Sequence, residues 1–230
     1  MNFLSNLSLI ELFSSFVLGS FVSYLFFSGF AFYFSEEYRN EAITRDVILR
    51  QIKQSFMAIL MIAPISAAIQ YCLWRGKIGF VYYDFEWSFE GLSYYVGSFL
   101  AYLVCVDCLY FWSHRMMHLP WLYKNFHSVH HQYKPVTTFT TSALDFTDAL
   151  IGAVFSLYLP AMVIPVHPSI VFMTLLHSLL WSLYLHNNIG RRMQNTILCD
   201  NEGHLLHHKT GRFNYGFYFT FWDKLCGTLK

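Results

Sequence analysis

Four long stretches without a single Asp, Glu, Lys or Arg dominate this chain of 230 residues: Leu12–Ser35, Gln54–Trp74, Gly91–Val106 and Ala149–Gly190. A helix that crosses the hydrocarbon of a bilayer needs about 20 mostly apolar residues, so each stretch is expected to span or enter a membrane. The third continues past Asp107 to His114. The last is 42 residues long and carries Pro160, Pro165, His167 and Pro168 near its middle, which suits two apolar helices joined by a tight turn. The expected fold is therefore all-α: an integral membrane bundle of about three spans plus a helical hairpin. The first stretch lacks a positive leading region and stays apolar too long for a cleavable signal, so a span is expected there.

Composition agrees. Charged residues make up 13% of the chain and hydrophobic ones 55%, against about 25% charged in a soluble domain. The 15 Lys and Arg balance 14 Asp and Glu. No field for steering a polyanion results, and nucleic acid is not an expected partner.

Basic residues set the expected orientation. Arg39, Arg45, Arg50 and Lys53 lie between the first two stretches, and Arg115, Lys124, Lys134, Arg191 and Arg192 flank the later ones. These segments are expected on the cytosolic face, although Arg75 and Lys77 fall on the other side. Cys72, Cys105, Cys108, Cys199 and Cys226 show no disulfide framework. The CxxC of Cys105 and Cys108 sits within an apolar run and is expected to pack.

Eleven histidines in so apolar a chain require an explanation, and eight of them form three short boxes. His114 and His118 make HxxxH; His127, His130 and His131 make HxxHH; His204, His207 and His208 make HxxHH again. On a helix, positions i, i+3 and i+4 lie on one side, so each box is expected to present its rings in one direction. Crowding eight imidazoles without a metal would leave buried donors and acceptors unmatched. Neutral imidazole is a good ligand for iron, zinc, copper and nickel. Eight nitrogens exceed the needs of one ion, which points to two, with His186 as a natural ninth ligand. His167 and His177 are expected to be structural.

In this pattern the chain resembles the fatty acid hydroxylase and sterol desaturase superfamily of membrane non-haem di-iron oxygenases. The string DCLYFWSHRMMH is similar to that family's lead-in at Asp107, Trp112 and Arg115, and NYGFYFTFWDKLCGTL to the ending of sterol C5-desaturases (lathosterol oxidases). The likeness covers about residues 95–230. It divides the single membrane domain into N-terminal transmembrane helices, 1–90, and a catalytic region, 91–230, with a cytosolic histidine-rich metal domain. Gly190, Asp145 and Asp148 stand where C5-desaturase-like members have other residues.

The resemblance implies two irons held by His114, His118, His127, His130, His131, His186, His204, His207 and His208, with dioxygen as co-substrate. It also implies hydroxylation or desaturation of a sterol or fatty-acyl lipid. An apolar tunnel would serve such a substrate, with Phe111, Trp112, Phe139 and Trp181 as candidate lining. Asp107, Asp145, Asp148 and Asp223 are candidates to accept the second N–H of a ligand ring. No dinucleotide, flavin or haem-attachment motif is present, so an external cytochrome b-type or ferredoxin-type protein is expected to supply electrons. Lys124, Lys134, Arg191, Arg192, Lys209 and Arg212 offer it a basic surface. Bacterial inner membrane and endoplasmic reticulum both stay open as locations. Two other classes use histidine clusters. A zinc hydrolase would carry HExxH, but Arg115, Met116 and Met117 fill the first box; a non-enzymatic metal or haem-binding membrane protein would place histidines within its spans.

Overall fold

The computed structural model describes residues 7–187 and 197–230; Gly190, Arg191 and Arg192 lie outside them. Among the described residues, four helices are long and apolar enough to cross a membrane: α1 (Leu9–Phe34), α2 (Arg45–Trp74), α3 (Phe89–Met117) and a later one, Pro168–His186. The chain is a multi-pass membrane protein. At 1.5 Å per residue, the 26, 30, 29 and 19 residues of these helices reach about 39, 45, 44 and 29 Å, against about 30 Å of hydrocarbon. Helix α3 is thus long enough to carry its last turn, with His114, beyond the apolar layer.

Local chemistry sets the helix starts. Ser8 and Glu11 form a reciprocal capping box on α1, while Thr44 and Ser88 accept backbone N–H bonds at the starts of α2 and α3. These bonds satisfy donors that a helix start otherwise leaves orphaned.

Short pieces follow α3. Helix α4 (Pro120–Leu122) runs through a π-helical turn, Tyr123–His127, into α5 (Ser128–His131). Helix α6 (Phe146–Asp148) continues through a π-helical stretch, Ala149–Phe155, into α7 (Ser156–Tyr158). Next come α8 (Pro168–His186), α9 (Asn201–Thr210) and α10 (Phe221–Leu225). The expected hairpin is present with unequal arms: Phe146–Met162 is a shorter apolar helix, and α8 alone has the length of a span. Asp145 caps the first arm by accepting from Thr147 N, and a 3-10 turn at Leu159–Met162 ends it at Pro160.

The two ends of the bundle are distinct. At one end the loop after α1 meets the chain beyond the second histidine box, where the buried Glu37 carboxylate accepts from Thr138 N and Oγ1, both at 3.2 Å. At the other end Val81 bridges Val166, so the α2–α3 loop lies against the hairpin turn. The buried Thr137–Thr141 segment wedges among α1, α2 and α8. Backbone at that depth must find partners within the protein. Tyr24 Oη donates to Phe139 O at 2.8 Å, Gln51 Nε2 to Pro135 O at 3.2 Å, and Gln54 Nε2 to Leu144 O at 2.7 Å. The polar residues of α1 and α2 therefore serve this segment and the backbone on either side of it. The main core joins Leu73, Tyr102, Val106, Tyr158, Ile170 and Leu185, with the Tyr102 hydroxyl donating to Leu157 O.

Candidate metal centre

All nine expected ligands come together at the box end. They form two groups: His114, His118, His127, His131 and His207, and His130, His186, His204 and His208. Within each, one nitrogen per ring lies within 4.8 Å of all the others, and two nitrogens bound at about 2.1 Å on opposite sides of one ion stand ~4.2 Å apart. Eight of the nine rings are buried.

This division corrects the expectation that each box points one way. A helix turns 100° per residue, so rings at i and i+4 lie 40° apart, while those at i+3 and i+4 diverge by 100°. His127 and His131 accordingly join one group and His130 the other; His204 and His208 join one and His207 the other. The two HxxHH boxes each serve both groups.

Hydrogen bonds define which nitrogen is bare. His114 Nδ1–H donates to Tyr215 O at 2.9 Å, His207 Nδ1–H to Phe213 O at 2.8 Å, and His186 Nδ1–H to Ser182 O at 2.8 Å. His127 Nδ1 lies 2.7 Å from Asp148 Oδ2, with both residues buried. A carbonyl or carboxylate only accepts, so the proton sits on Nδ1 and the lone pair on Nε2. These bare nitrogens meet others: His127 faces His131 Nε2 at 3.1 Å, His207 faces His118 Nε2 at 3.1 Å, and His186 faces His130 and His204 Nε2 at 3.2 Å each. His204 Nε2 also meets His208 Nε2 at 3.2 Å. Single protons cannot serve every lone pair in such a chain, whereas a cation at each centre can.

Electrostatics favour the same state. Burial, reinforced by the neighbouring His127, pushes His131 down to about 3. Burial first, then adjacent imidazoles, also holds His118, His130, His204, His207 and His208 below the usual histidine value. These six rings are neutral at pH 7, as metal ligands must be.

Of the four aspartates expected to orient ligand rings, Asp148 does so. Asp145 caps a helix instead. Asp107 accepts from Tyr218 N and the Trp222 indole Nε1, and Asp223 from Tyr215 N and Gly216 N; these bonds hold the loop rather than an imidazole. Sequence reasoning missed the carbonyls of Phe213 and Tyr215, which no side-chain identity signals. It also missed Asn201, whose signal is its place directly after the Asp200 cap of a helix bearing HxxHH. His167 and His177 lie outside both groups: His167 caps α8 by accepting from Ser169 N at 3.3 Å, and His177 stacks near Tyr218.

A cavity of about 610 Å³ ends on both groups, touching His114 and His127 of one and His130, His186 and His204 of the other. Its volume suits a small-molecule site. The four aromatics expected to line it do not. Phe111 packs against Tyr215 and Trp222, Trp112 lies under Arg115, Phe139 sits between Tyr24 and Phe32, and Trp181 Nε1 donates to Phe217 O at 2.6 Å. Small residues supply the space instead, Ser15 and Gly19 of α1 and Gly152 among them. Ser15, Gly19, Phe172 and Leu176 both line the cavity and lie on exposed parts of spanning helices, so its mouth opens sideways between α1 and α8.

No solved structure matches the chain. Human lathosterol oxidase is 25% identical over 221 residues, covering 93% of this chain and 72% of that protein. The Delta(7)-sterol 5(6)-desaturase of Candida glabrata is 28% identical over 151 residues, 65% of this chain and 41% of the relative. A cholesterol 25-hydroxylase-like protein of Danio rerio is 33% identical over 148 residues, covering 60% of this chain and 58% of that protein. The chain thus spans about two fifths of the Candida relative and under three quarters of the human one. The fatty acid hydroxylase family model matches residues 99–228, a range that holds every histidine of both groups, and the chain belongs to that family.

Proposed function

We propose that the protein is a membrane-bound non-haem di-iron oxygenase acting on a lipid of the sterol or fatty-acyl type, with dioxygen and external electrons. The observation that carries this reading is the meeting of nine imidazoles, in two groups, with the inner end of an apolar cavity that opens towards lipid. The activities for which the relatives are named, sterol desaturation and lathosterol oxidation, point the same way.

His114, His118, His127, His131 and His207 would hold one iron, and His130, His186, His204 and His208 the other. Bound iron supplies the dioxygen chemistry that removes hydrogen from an unactivated C–H bond. The chain's own residues do the rest. Tyr215 O, Phe213 O, Ser182 O and Asp148 hold the Nδ1 protons and aim the Nε2 lone pairs. Ile59, Ile62, Leu175 and Leu179 give the substrate a dry wall, which excludes water and orients one carbon at the histidines. Both α1 and α2 contribute to that wall, so residues 1–90 shape the substrate site that serves the catalytic region of residues 91–230. Lys124, Lys134, Lys209 and Arg212 form the basic surface for the electron donor, on the cytosolic face.

Metal analysis and lipid mass spectrometry test this reading. Protein expressed with iron is expected to hold about two irons per chain, one for each histidine group; a reproducible value of one refutes the dinuclear centre. Cells carrying the gene and supplied with labelled dioxygen are expected to gain a lipid with one labelled oxygen, if a hydroxylase, or lacking two hydrogens, if a desaturase. A lipid profile unchanged by the gene refutes the activity.

A further inference from the structure

We infer that each histidine group has its own clamp remote from the metal: Asp223 and Asp107 position the group of five, and Asn201 positions the group of four. This rests on the two groups being metal sites.

The first clamp acts through one loop. Phe213 O and Tyr215 O, which orient His207 and His114, belong to a non-helical stretch between α9 and α10. Two carboxylates, both fully buried, hold that stretch. Asp223 accepts from Tyr215 N at 3.0 Å, Gly216 N at 2.7 Å and Thr228 Oγ1 at 2.7 Å. Asp107 accepts from Tyr218 N at 2.7 Å and Trp222 Nε1 at 3.0 Å. A carboxylate inside a membrane helix is costly, and Asp107 spends its oxygens on this loop. Charge-assisted bonds of this kind are about twice as strong as neutral ones. Position 216 must be glycine for the approach, since a Cβ there would stand 2.8 Å from Cys199 Sγ and 2.9 Å from Asp223 Oδ2. Release of these bonds frees the two carbonyls, and His114 and His207 lose their fixed orientation.

The second clamp joins two helices. Asn201 is the first residue of α9, which carries His204 and His208. Its buried amide nitrogen lies 3.1 Å from Tyr184 O, 2.9 Å from Leu185 O and 2.5 Å from Asn187 O, the carbonyls around His186 at the end of α8. Such carbonyls have no partner within their own helix. One side chain thus fixes the distance between His186 and the pair His204 and His208, which share a group with it. Neither clamp touches a ligand ring, so all three residues are positioning residues.

The test isolates one group at a time by leaving only two imidazoles in the other. In the full-length His130→Ala/His208→Ala protein the group of five is left intact; in His118→Ala/His127→Ala/His131→Ala the group of four is. Cobalt(II) affinity of each, measured by chelator competition, is expected to fall about 10–100-fold on Asp223→Asn in the first background and by less than about threefold in the second, as for loss of an outer partner of a metal ligand. Asn201→Ala is expected to show the reverse. Thr228→Val, which removes one bond to Asp223, gives a weaker effect of the same pattern should Asp223→Asn fail to fold, and unchanged helicity and melting temperature exclude general collapse. Equal losses in both backgrounds, or none, overturn the inference while the metal centre stands. A parent protein that takes up no metal overturns both.

Discussion

Acidification of the metal-free protein is the most direct probe of the histidine cluster. In the unfolded chain a histidine titrates near 6.5, whereas in the folded protein burial and His127 hold His131 at about 3. Between those values the unfolded chain binds a proton that the folded one refuses, so falling pH favours unfolding. The stabilisation is fully present above pH 6.5 and is lost as the pH drops below it. For His131 alone the loss is about 1 kcal/mol at pH 5.5 and about 3 kcal/mol at pH 4.5. His118, His130, His204, His207 and His208 shift in the same direction, so the whole cluster steepens the slope. Thermal unfolding of chelator-stripped protein in detergent, followed from pH 7.5 to 4.5 at fixed ionic strength, reads this out. The melting temperature is expected to fall progressively below pH 6.5, and His131→Gln to reduce the slope by about one proton. A melting temperature independent of pH, or a slope unchanged in His131→Gln, refutes the reasoning. Metal-loaded protein is expected to hold its stability to lower pH, because the ions occupy the lone pairs that protons would take.

Gly152 lines the cavity, and a Cβ there would meet Asp148 Oδ1 at 3.7 Å, an ordinary contact. Gly152→Phe is therefore expected to keep its metal and fold while losing about tenfold or more in turnover, about 1.4 kcal/mol or more of barrier; full turnover with bound metal rejects the cavity as the substrate site. His167→Ala removes the cap of α8 and is expected to cost about 1 kcal/mol of stability with metal content unchanged. Loss of metal in that variant contradicts the placement of His167 away from the cluster.

The membrane character, the spans and the nine histidines that meet in two groups were legible from the chain because they depend on composition and spacing. His186 was recoverable for the same reason, as a histidine at the box end of an apolar run. The pairing of rings was less accessible. It depends on the 100° phase between neighbours and on the π-helical turn at Tyr123–His127, which hydropathy does not register. Phe139 and Trp181 looked like tunnel walls because they are large and apolar, yet a cavity exists where side chains are small, at Ser15, Gly19 and Gly152. The roles of Asp107 and Asp223 stayed hidden for another reason: most of their partners are backbone N–H groups, which every residue but proline carries.

The sideways mouth between α1 and α8 sets the units in which the substrate is counted. A lipid that enters from the bilayer is presented at a concentration per membrane area, and the volume of surrounding water does not enter. Saturation should follow the mole fraction of substrate among membrane lipids, and adding inert lipid or detergent at constant total substrate should slow the reaction. Two membranes holding the same amount of substrate in different amounts of carrier lipid would then run this protein at different rates.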